Sequence, residues 1–308
     1  MPPRLRPRRQ SPDRLLKSSA ELSSRSGRAR VLRAAALAWL FGACAATRGT
    51  GAAPAELPDA PTAALLLDHF RQSIWAEPIY AEFDLRVMPR RGDERVFHGR
   101  FWGARNGRGP VTRLELDVGR GGFTHRFLVQ GGPDGGIWTS DGGAPGAPNA
   151  GAVLAPLVPG VEMAPFDILP MPYLYWLDAE LVSIERIRGR PSFSYVFTPS
   201  ADFVALNPGI KSVRAYLDTQ YDALVQSQIA ATDGHVSKTL SLLELRKVGD
   251  RWIPRDVDVR NEATRDKTRL SLTAVAVGAA PAPSAFDPDQ LGSPVAPPPS
   301  GKVLRIPQ

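Results

Sequence analysis

Cys44 is the residue whose type and setting most directly indicate covalent chemistry. It is the single cysteine among 308 residues, and it follows Phe41-Gly42-Ala43, a sequence that resembles the lipobox at which a cysteine is acylated and becomes the mature N-terminus. Ala43-Cys44-Ala45 also fits the small-x-small site of a signal peptidase, whose cleavage in that region would remove the thiol with the leader. Two alternatives therefore stay open, a lipidated Cys44 and a mature chain that lacks it.

No residue pattern typical of an enzyme or a metal site is visible. The motifs G-x-S-x-G and H-E-x-x-H and the Walker loop are missing, the four histidines are scattered, and one cysteine cannot build a zinc site. Glu82 and Asp84 resemble a carboxylate pair, but residues two apart on a strand always share a face, so a solvated face explains them. We predict no catalytic residue, no metal and no cofactor.

The basic charge of the chain is concentrated at its N-terminus. The formal net charge is +7, yet residues 1–33 contain ten Lys/Arg and two acidic residues, whereas the rest of the chain contains 28 basic and 29 acidic residues. The body is therefore close to neutral. The high basic charge belongs to the leader and does not indicate a nucleic-acid surface on the body, and we predict no nucleic-acid partner.

An export signal accounts for that charge. Residues 34–43 are uncharged and mostly apolar, which suits the core of a signal peptide and is too short for a membrane-spanning helix. We predict a leader over 1–46, an Ala/Gly/Pro-rich linker over 47–61, and membrane contact only through the signal or a lipid anchor. Translation could instead begin near Val31 or Leu32, in which case residues 1–30 would not be part of the protein.

The body begins with one amphipathic helix. Asp59 or Thr62 can cap it, Pro61 suits its first turn, and Leu66, Phe70 and Ile74 recur at helical spacing over residues 62–76. A second apolar segment, residues 161–180, is interrupted by three prolines and predicts short helical turns. Both segments are apolar enough to require burial against the rest of the fold.

The remaining body predicts antiparallel strands. Apolar and polar residues alternate over 79–88 and over several later segments, and the tight-turn pairs Asp233-Gly234 and Gly249-Asp250 predict hairpins. The alternation slips at Leu242-Leu243 and near Ala274-Val275, which predicts bulges that curl the sheet. We predict a mainly β (α+β) class, with a single curved sheet over 62–278 whose concave side is plugged by the few short helices. The Pro-rich residues 279–308 predict a disordered or extended tail.

Several sequence segments in the second half of the chain resemble those of the LolA/LolB-like group of outer-membrane lipoprotein-sorting proteins. They are Phe166-Asp167-Ile168-Leu169 with Tyr173-Leu174-Tyr175-Trp176, Val213 to Asp218, Gly234 to Leu240, Asp250 to Arg255, Lys267 to Leu270, and the closing Ala285 to Leu291. The resemblance implies an unclosed antiparallel β-barrel wrapped over helices. It also implies a hydrophobic cavity that carries acyl chains of lipids or lipoproteins across the bacterial periplasm.

Two functions follow, and they differ in whether the concave side is filled. If the helical plugs leave space, we expect a periplasmic or outer-membrane-associated carrier that binds lipid or lipoprotein acyl chains. If they fill it, we expect an envelope module that binds a protein partner, with the Pro-rich tail as its contact segment. The candidate lining residues are Leu66, Phe70, Ile74, Phe83, Leu85, Leu114 and Leu116, with Tyr175 and Trp176 at the mouth.

Overall fold

The computed structural model describes residues 56–119, 123–141, 153–221 and 223–307. The predicted leader, Cys44 and most of the predicted linker lie outside the described residues. The helices are α1 (Ala60–Ser73) and α2 (Ala201–Leu206). The strands are β1 (Ile79–Met88), β2 (Arg95–Asn106), β3 (Gly109–Asp117), β4 (Phe123–Gln130), β5 (Gly136–Ser140), β6 (Asp178–Ile187), β7 (Arg190–Thr198), β8 (Ile210–Asp218), β9 (Leu224–Ala231), β10 (Val236–Val248), β11 (Arg251–Asn261), β12 (Lys267–Val277) and β13 (Leu304–Arg305).

The described strands form one antiparallel sheet of thirteen strands. Its order is β5-β4-β3-β2-β1-β12-β11-β10-β9-β8-β7-β6, with β13 paired to β12. The chain therefore makes two meanders, and the pairing of β1 with β12 joins them. In the described residues β5 and β6 each end the order without pairing to one another, so the barrel is not closed. The predicted class, a curved antiparallel sheet that forms an unclosed barrel, is confirmed.

Strand alternation decides which residues enter the core. Along β1 the odd-numbered residues are buried, as expected for a strand with one face against the core. The predicted irregularities are also present: the β10–β11 register shifts between Leu242 and Glu244, and the β1–β12 register shifts beside Ala274. Each shift adds an unpaired residue that bends its strand and helps the sheet to curl.

Helix α1 lies over the concave side of the sheet. Asp59 caps it by accepting a hydrogen bond from the Thr62 backbone N–H at 3.0 Å, and Pro61 occupies its first turn, as the sequence predicted. Ala63, Leu67 and Phe70 form its buried stripe, and Ile74 continues that stripe after the last turn. The Tyr195 hydroxyl of β7 donates to the Ala63 carbonyl at 2.7 Å, which ties the helix to the far half of the sheet.

The proline-broken segment forms the second plug. It contains two short 3₁₀ turns, Pro165–Asp167 and Pro172–Tyr175, as the sequence predicted. Its rings pack with α2: Phe166 and Tyr173 lie 5.2 Å apart, and Trp176 and Phe203 lie 4.9 Å apart between ring centroids. Aromatic side chains thus occupy the part of the concave side near α2.

The C-terminal segment differs from the sequence prediction of a disordered or extended tail. Residues 283–286, 288–290 and 300–302 form 3₁₀ turns, and β13 pairs with β12. Leu291 is fully buried against Val111, Leu128 and Trp138, while Phe286 packs beside Tyr80 and Trp102. A few apolar anchors therefore fix this segment against a preformed sheet face, which its overall composition did not reveal.

Candidate functional site

An apolar cavity of about 240 Å³ lies between α1, the proline-broken segment and the concave face of the sheet. Most of its apolar lining comes from three groups of residues. The first is Phe70, Ile74 and Trp75 at the end of α1; the second is Met163, Ile168, Leu169 and Met171; the third is Phe101, Leu114, Leu240, Leu242, Leu245, Ile253, Val257, Leu270 and Leu272 on strands. The plugs therefore leave part of the concave side empty.

Arginines hold the end of α1 in place over this cavity. The Arg105 guanidinium donates from Nη1 to the carbonyl oxygens of Arg71 at 3.1 Å and of Ile74 at 2.9 Å. Arg71 in turn donates from Nε to the Leu174 carbonyl at 2.6 Å, which links α1 to the proline-broken segment. The last carbonyls of a helix have no partners within the helix, so Arg105 satisfies groups that would otherwise need water.

Two polar groups in the lining are already satisfied by protein partners. The Asp167 carboxylate accepts from the Ala164 N–H at 2.9 Å and pairs with the Lys238 ammonium at 3.1 Å. The Thr112 hydroxyl accepts from the Trp75 indole N–H at 2.8 Å and donates to the Leu169 carbonyl at 2.5 Å. The lining is therefore suited to an apolar ligand rather than a polar one.

We assign the mouth of the cavity to the place where β11 separates from β12, because the exposed lining residues Glu77, Arg251 and Trp252 lie there. Residues 245–248 of β10 pair with residues 251–254 of β11, while β9 pairs with β10 only as far as Ser241 and β12 pairs with β11 only from Asp256. We call residues 242–255 the flap. Arg251 of the flap pairs with Glu77 at 2.8 Å, and Trp252, which is 56% exposed, stands beside them.

The predicted lining residues divide into three groups. Phe70, Ile74 and Leu114 line the cavity. Phe83, Leu85 and Leu116 are fully buried in the same core but do not border the empty space. Leu66 is half-buried on α1, because the helical stripe passes through Leu67 instead.

The aromatic residues predicted at the mouth lie elsewhere. Trp176 packs in the aromatic cluster with Phe203, and the Tyr175 ring lies under the Arg71 guanidinium at 5.7 Å from its centroid. Neither lines the cavity; Trp252 stands at the mouth instead. Sequence reasoning missed Trp252, because its exposure depends on β11 extending beyond its pairing with β12.

The described residues offer little for acid–base or metal chemistry. Within them no group of three or more His, Cys, Asp or Glu side chains could hold a metal ion. Glu82 and Asp84 are engaged separately: Arg305 pairs with Glu82 at 2.7 Å, and His98 contacts Asp84 at 2.8 Å. Burial raises the pKa of Tyr175 to about 12, so its phenol stays protonated at neutral pH. In the described part of the chain, no helix has the length and apolar character needed to cross a membrane.

Comparisons with known proteins identify the fold. No family model matches the chain, and no curated protein matches its sequence. Among solved structures, a candidate outer membrane lipoprotein-sorting protein domain from Vibrio parahaemolyticus is 14% identical, with a TM-score of 0.61 over 74% of this chain and 96% of that chain. A DUF1329 family protein from Desulfovibrio piger is 12% identical, with a TM-score of 0.59 over 74% of this chain and 95% of that one.

A third structure carries the superfamily name. It is a LolA superfamily protein from Nitrosomonas europaea, 11% identical, with a TM-score of 0.55 over 72% of this chain and 96% of that chain. Each of these chains is matched over almost its whole length. The chain therefore has a LolA-like fold, as the sequence resemblance predicted, while identities this low leave its activity to be argued from its own residues.

Proposed function

We propose that this protein is an exported carrier that binds an acyl chain of a lipid or lipoprotein in the cavity under α1. The observation that carries the proposal is the apolar cavity itself, which lies between two plugs that could have filled it and opens at the flap. Its polar groups are already paired, so it offers an acyl chain apolar contacts without leaving a protein charge unsatisfied.

The size of the cavity suits part of one acyl chain. With ~30 Å³ for each water-sized group, a volume of about 240 Å³ accommodates roughly eight methylene groups. Burial at ~0.8 kcal/mol per methylene would then contribute about 6 kcal/mol before the cost of ordering the chain is subtracted. A longer chain would extend through the mouth, which leaves its headgroup outside the cavity.

The proposed location is the bacterial envelope. The basic leader followed by ten uncharged residues supports export, and Cys44 supports attachment to a membrane through a lipid if it is retained. The alternative of a protein-binding module relied on an available C-terminal tail, whereas residues 283–307 pack on the sheet. Because this segment is packed on the sheet, the structure favours the carrier over an envelope module that binds a protein partner through its C-terminal tail.

A pair of neighbouring variants tests the carrier proposal. Leu242 lines the cavity, whereas Leu243 borders the polar outer face of the sheet beside Ser241. We expect Leu242→Trp to fill the cavity and to weaken the binding of a fluorescent fatty acid by about tenfold or more. Overpacking should also lower the free energy of unfolding by about 1–3 kcal/mol. The matched control, Leu243→Trp, should bind like the native protein.

The assay has a clear contrary result. If the purified native protein shows no saturable binding of the fatty acid or of a lipopeptide, the carrier proposal is wrong. Equal weakening by both tryptophan variants would also contradict it, because only one of the two substitutions enters the cavity. Native mass spectrometry of protein purified from the envelope would identify any acyl ligand that remains bound.

A further inference from the structure

A second space adjoins the cavity and has a different chemical character. It is a cleft of about 620 Å³ between the flap and the β12–β13 edge. Glu77, Arg251 and Val277 line both the cavity and the cleft, so the two spaces share a boundary. The cleft is therefore the space nearest to a chain that leaves the cavity beside Glu77 and Arg251.

The cleft contains two cationic and two anionic side chains. Arg251 and Glu77 pair with each other at 2.8 Å, and both are about half exposed. Lys302 comes from the 3₁₀ turn before β13, and Asp250 comes from the tip of the flap. Neither side chain forms a hydrogen bond or ion pair with any residue in the described ranges, so one ammonium and one carboxylate remain available.

The remaining lining of the cleft is apolar or small. Val248, Val275, Ala276 and Leu304 border it between the charged groups. Such a surface matches the short linker between an acyl chain and its polar headgroup. One available cation and one available anion match a headgroup that itself carries both charges, because a ligand with a single charge would bring its charge near a side chain of the same sign.

We infer that the cleft is a headgroup site and that the ligand class is an acyl lipid with a zwitterionic phosphate–ammonium headgroup. This inference rests on the proposed acyl-chain function of the cavity. Lys302 binds the phosphate, while Asp250 binds the ammonium group. The acyl chain occupies the cavity through the mouth beside Glu77. Charge-assisted hydrogen bonds of this kind are the stronger ones in proteins, which gives the cleft a measurable share of the affinity.

The test compares three ligands that share one saturated acyl chain. They are lysophosphatidylethanolamine, lysophosphatidylglycerol and monoacylglycerol, which present a zwitterionic, an anionic and a neutral headgroup. With the native full chain we expect the zwitterionic ligand to bind tightest, about tenfold tighter than monoacylglycerol, and the anionic ligand to lie between them. Affinities are measured by displacement of a fluorescent fatty acid.

Two surface variants separate the roles of the charges. Lys302→Gln should weaken the binding of both phospholipids by about five- to tenfold and leave the affinity for monoacylglycerol unchanged. Asp250→Asn should weaken the binding of lysophosphatidylethanolamine alone. Because Asn suits the Gly249–Asp250 turn, the hairpin is retained. Arg246→Gln, an exposed site on the same flap that lines neither space, is the matched control and should change nothing.

The outcomes distinguish this inference from the carrier proposal. If the three ligands bind the native protein within about twofold of each other, the headgroup inference is wrong while the carrier proposal stands. If Asp250→Asn weakens all three ligands equally, the inference also fails, since a headgroup contact cannot affect monoacylglycerol. If none of the ligands binds, the carrier proposal fails and the headgroup site fails with it.

Discussion

At the scale of single residues, Asp258 shows how polar side chains stabilise the outer face of the sheet. Its carboxylate accepts from Arg269 Nε at 2.6 Å and Nη2 at 2.9 Å, and it pairs with Lys267 at 3.3 Å. Burial by itself would raise the pKa of Asp258, but the hydrogen bonds and charges of Arg269 and Lys267 outweigh it and lower the pKa. A lowered pKa means that the pair stabilises the fold above about pH 4 and loses this effect as the pH falls through the folded-state pKa.

Asp258→Asn should therefore destabilise the protein by about 1–2 kcal/mol near neutral pH. The difference from the native protein should shrink as the pH falls below about 4, because the native carboxylate becomes protonated as the pH passes through its lowered pKa. Urea unfolding at neutral pH and at a pH below 4 measures this difference in the free energy of unfolding. Asp93→Asn in the exposed β1–β2 turn is the control. A difference that persists unchanged in acid would show that the ion pair is not its cause.

At the scale of elements, the position of α1 depends on a contact that its own sequence does not contain. Arg105 lies at the end of β2, yet it donates to the carbonyls of Arg71 and Ile74 at the end of the helix. The helical spacing of apolar residues predicted that α1 forms and that it is buried on one face. It did not predict which strand residue closes its last turn, because that contact spans about thirty residues of intervening chain.

Arg105→Ala should loosen the end of α1 without unfolding the sheet. We expect a loss of about 1–2 kcal/mol in the free energy of unfolding, since the freed carbonyls must turn to water. Amide hydrogen exchange should become faster in residues 70–76 and stay unchanged in β7 and β8. Arg91→Ala, exposed in the β1–β2 turn, is the control. Uniformly faster exchange across the sheet would contradict a local role for Arg105.

At the scale of the whole molecule, the C-terminal segment completes the fold. Arg113 is fully buried on β3 and donates to the carbonyl oxygens of Ala285 at 3.1 Å and Leu291 at 3.1 Å, and Arg126 donates to that of Gly292 at 2.7 Å. Glu115 contacts Arg113 at 2.9 Å and Arg100 at 2.8 Å, which balances part of this buried charge. The segment thus supplies the partners that allow arginines to be buried under it.

Deletion of residues 279–308 should destabilise the body strongly. It would expose the side chains of Trp102 and Trp138 and leave the Arg113 guanidinium without its carbonyl partners, at a cost of about 3–5 kcal/mol or more. Thermal unfolding and the binding of a dye specific for exposed apolar surface measure the effect. Removal of residues 307–308 alone, beyond the buried Ile306, is the control and should leave the melting temperature unchanged.

The sequence by itself determined the local structure of this protein. Alternation over 79–88 specified a half-buried strand, Asp59 and Pro61 specified the start of α1, and the slip at Leu242-Leu243 specified a bulge. These features depend on neighbouring residues and on backbone periodicity. They are therefore readable from short stretches of the chain.

Only the tertiary structure determined how much of the concave side stays empty and which residues line that cavity. Whether Leu114 or Leu116 lines the cavity depends on how far the plugs reach, and the placement of Trp252 at the mouth depends on where β11 leaves β12. The packing of the C-terminal segment is not predictable from its own sequence for the same reason, since Leu291 is buried by strands more than a hundred and fifty residues earlier in the chain. Packing between distant segments fixes these features, and no local pattern encodes the distance between two surfaces.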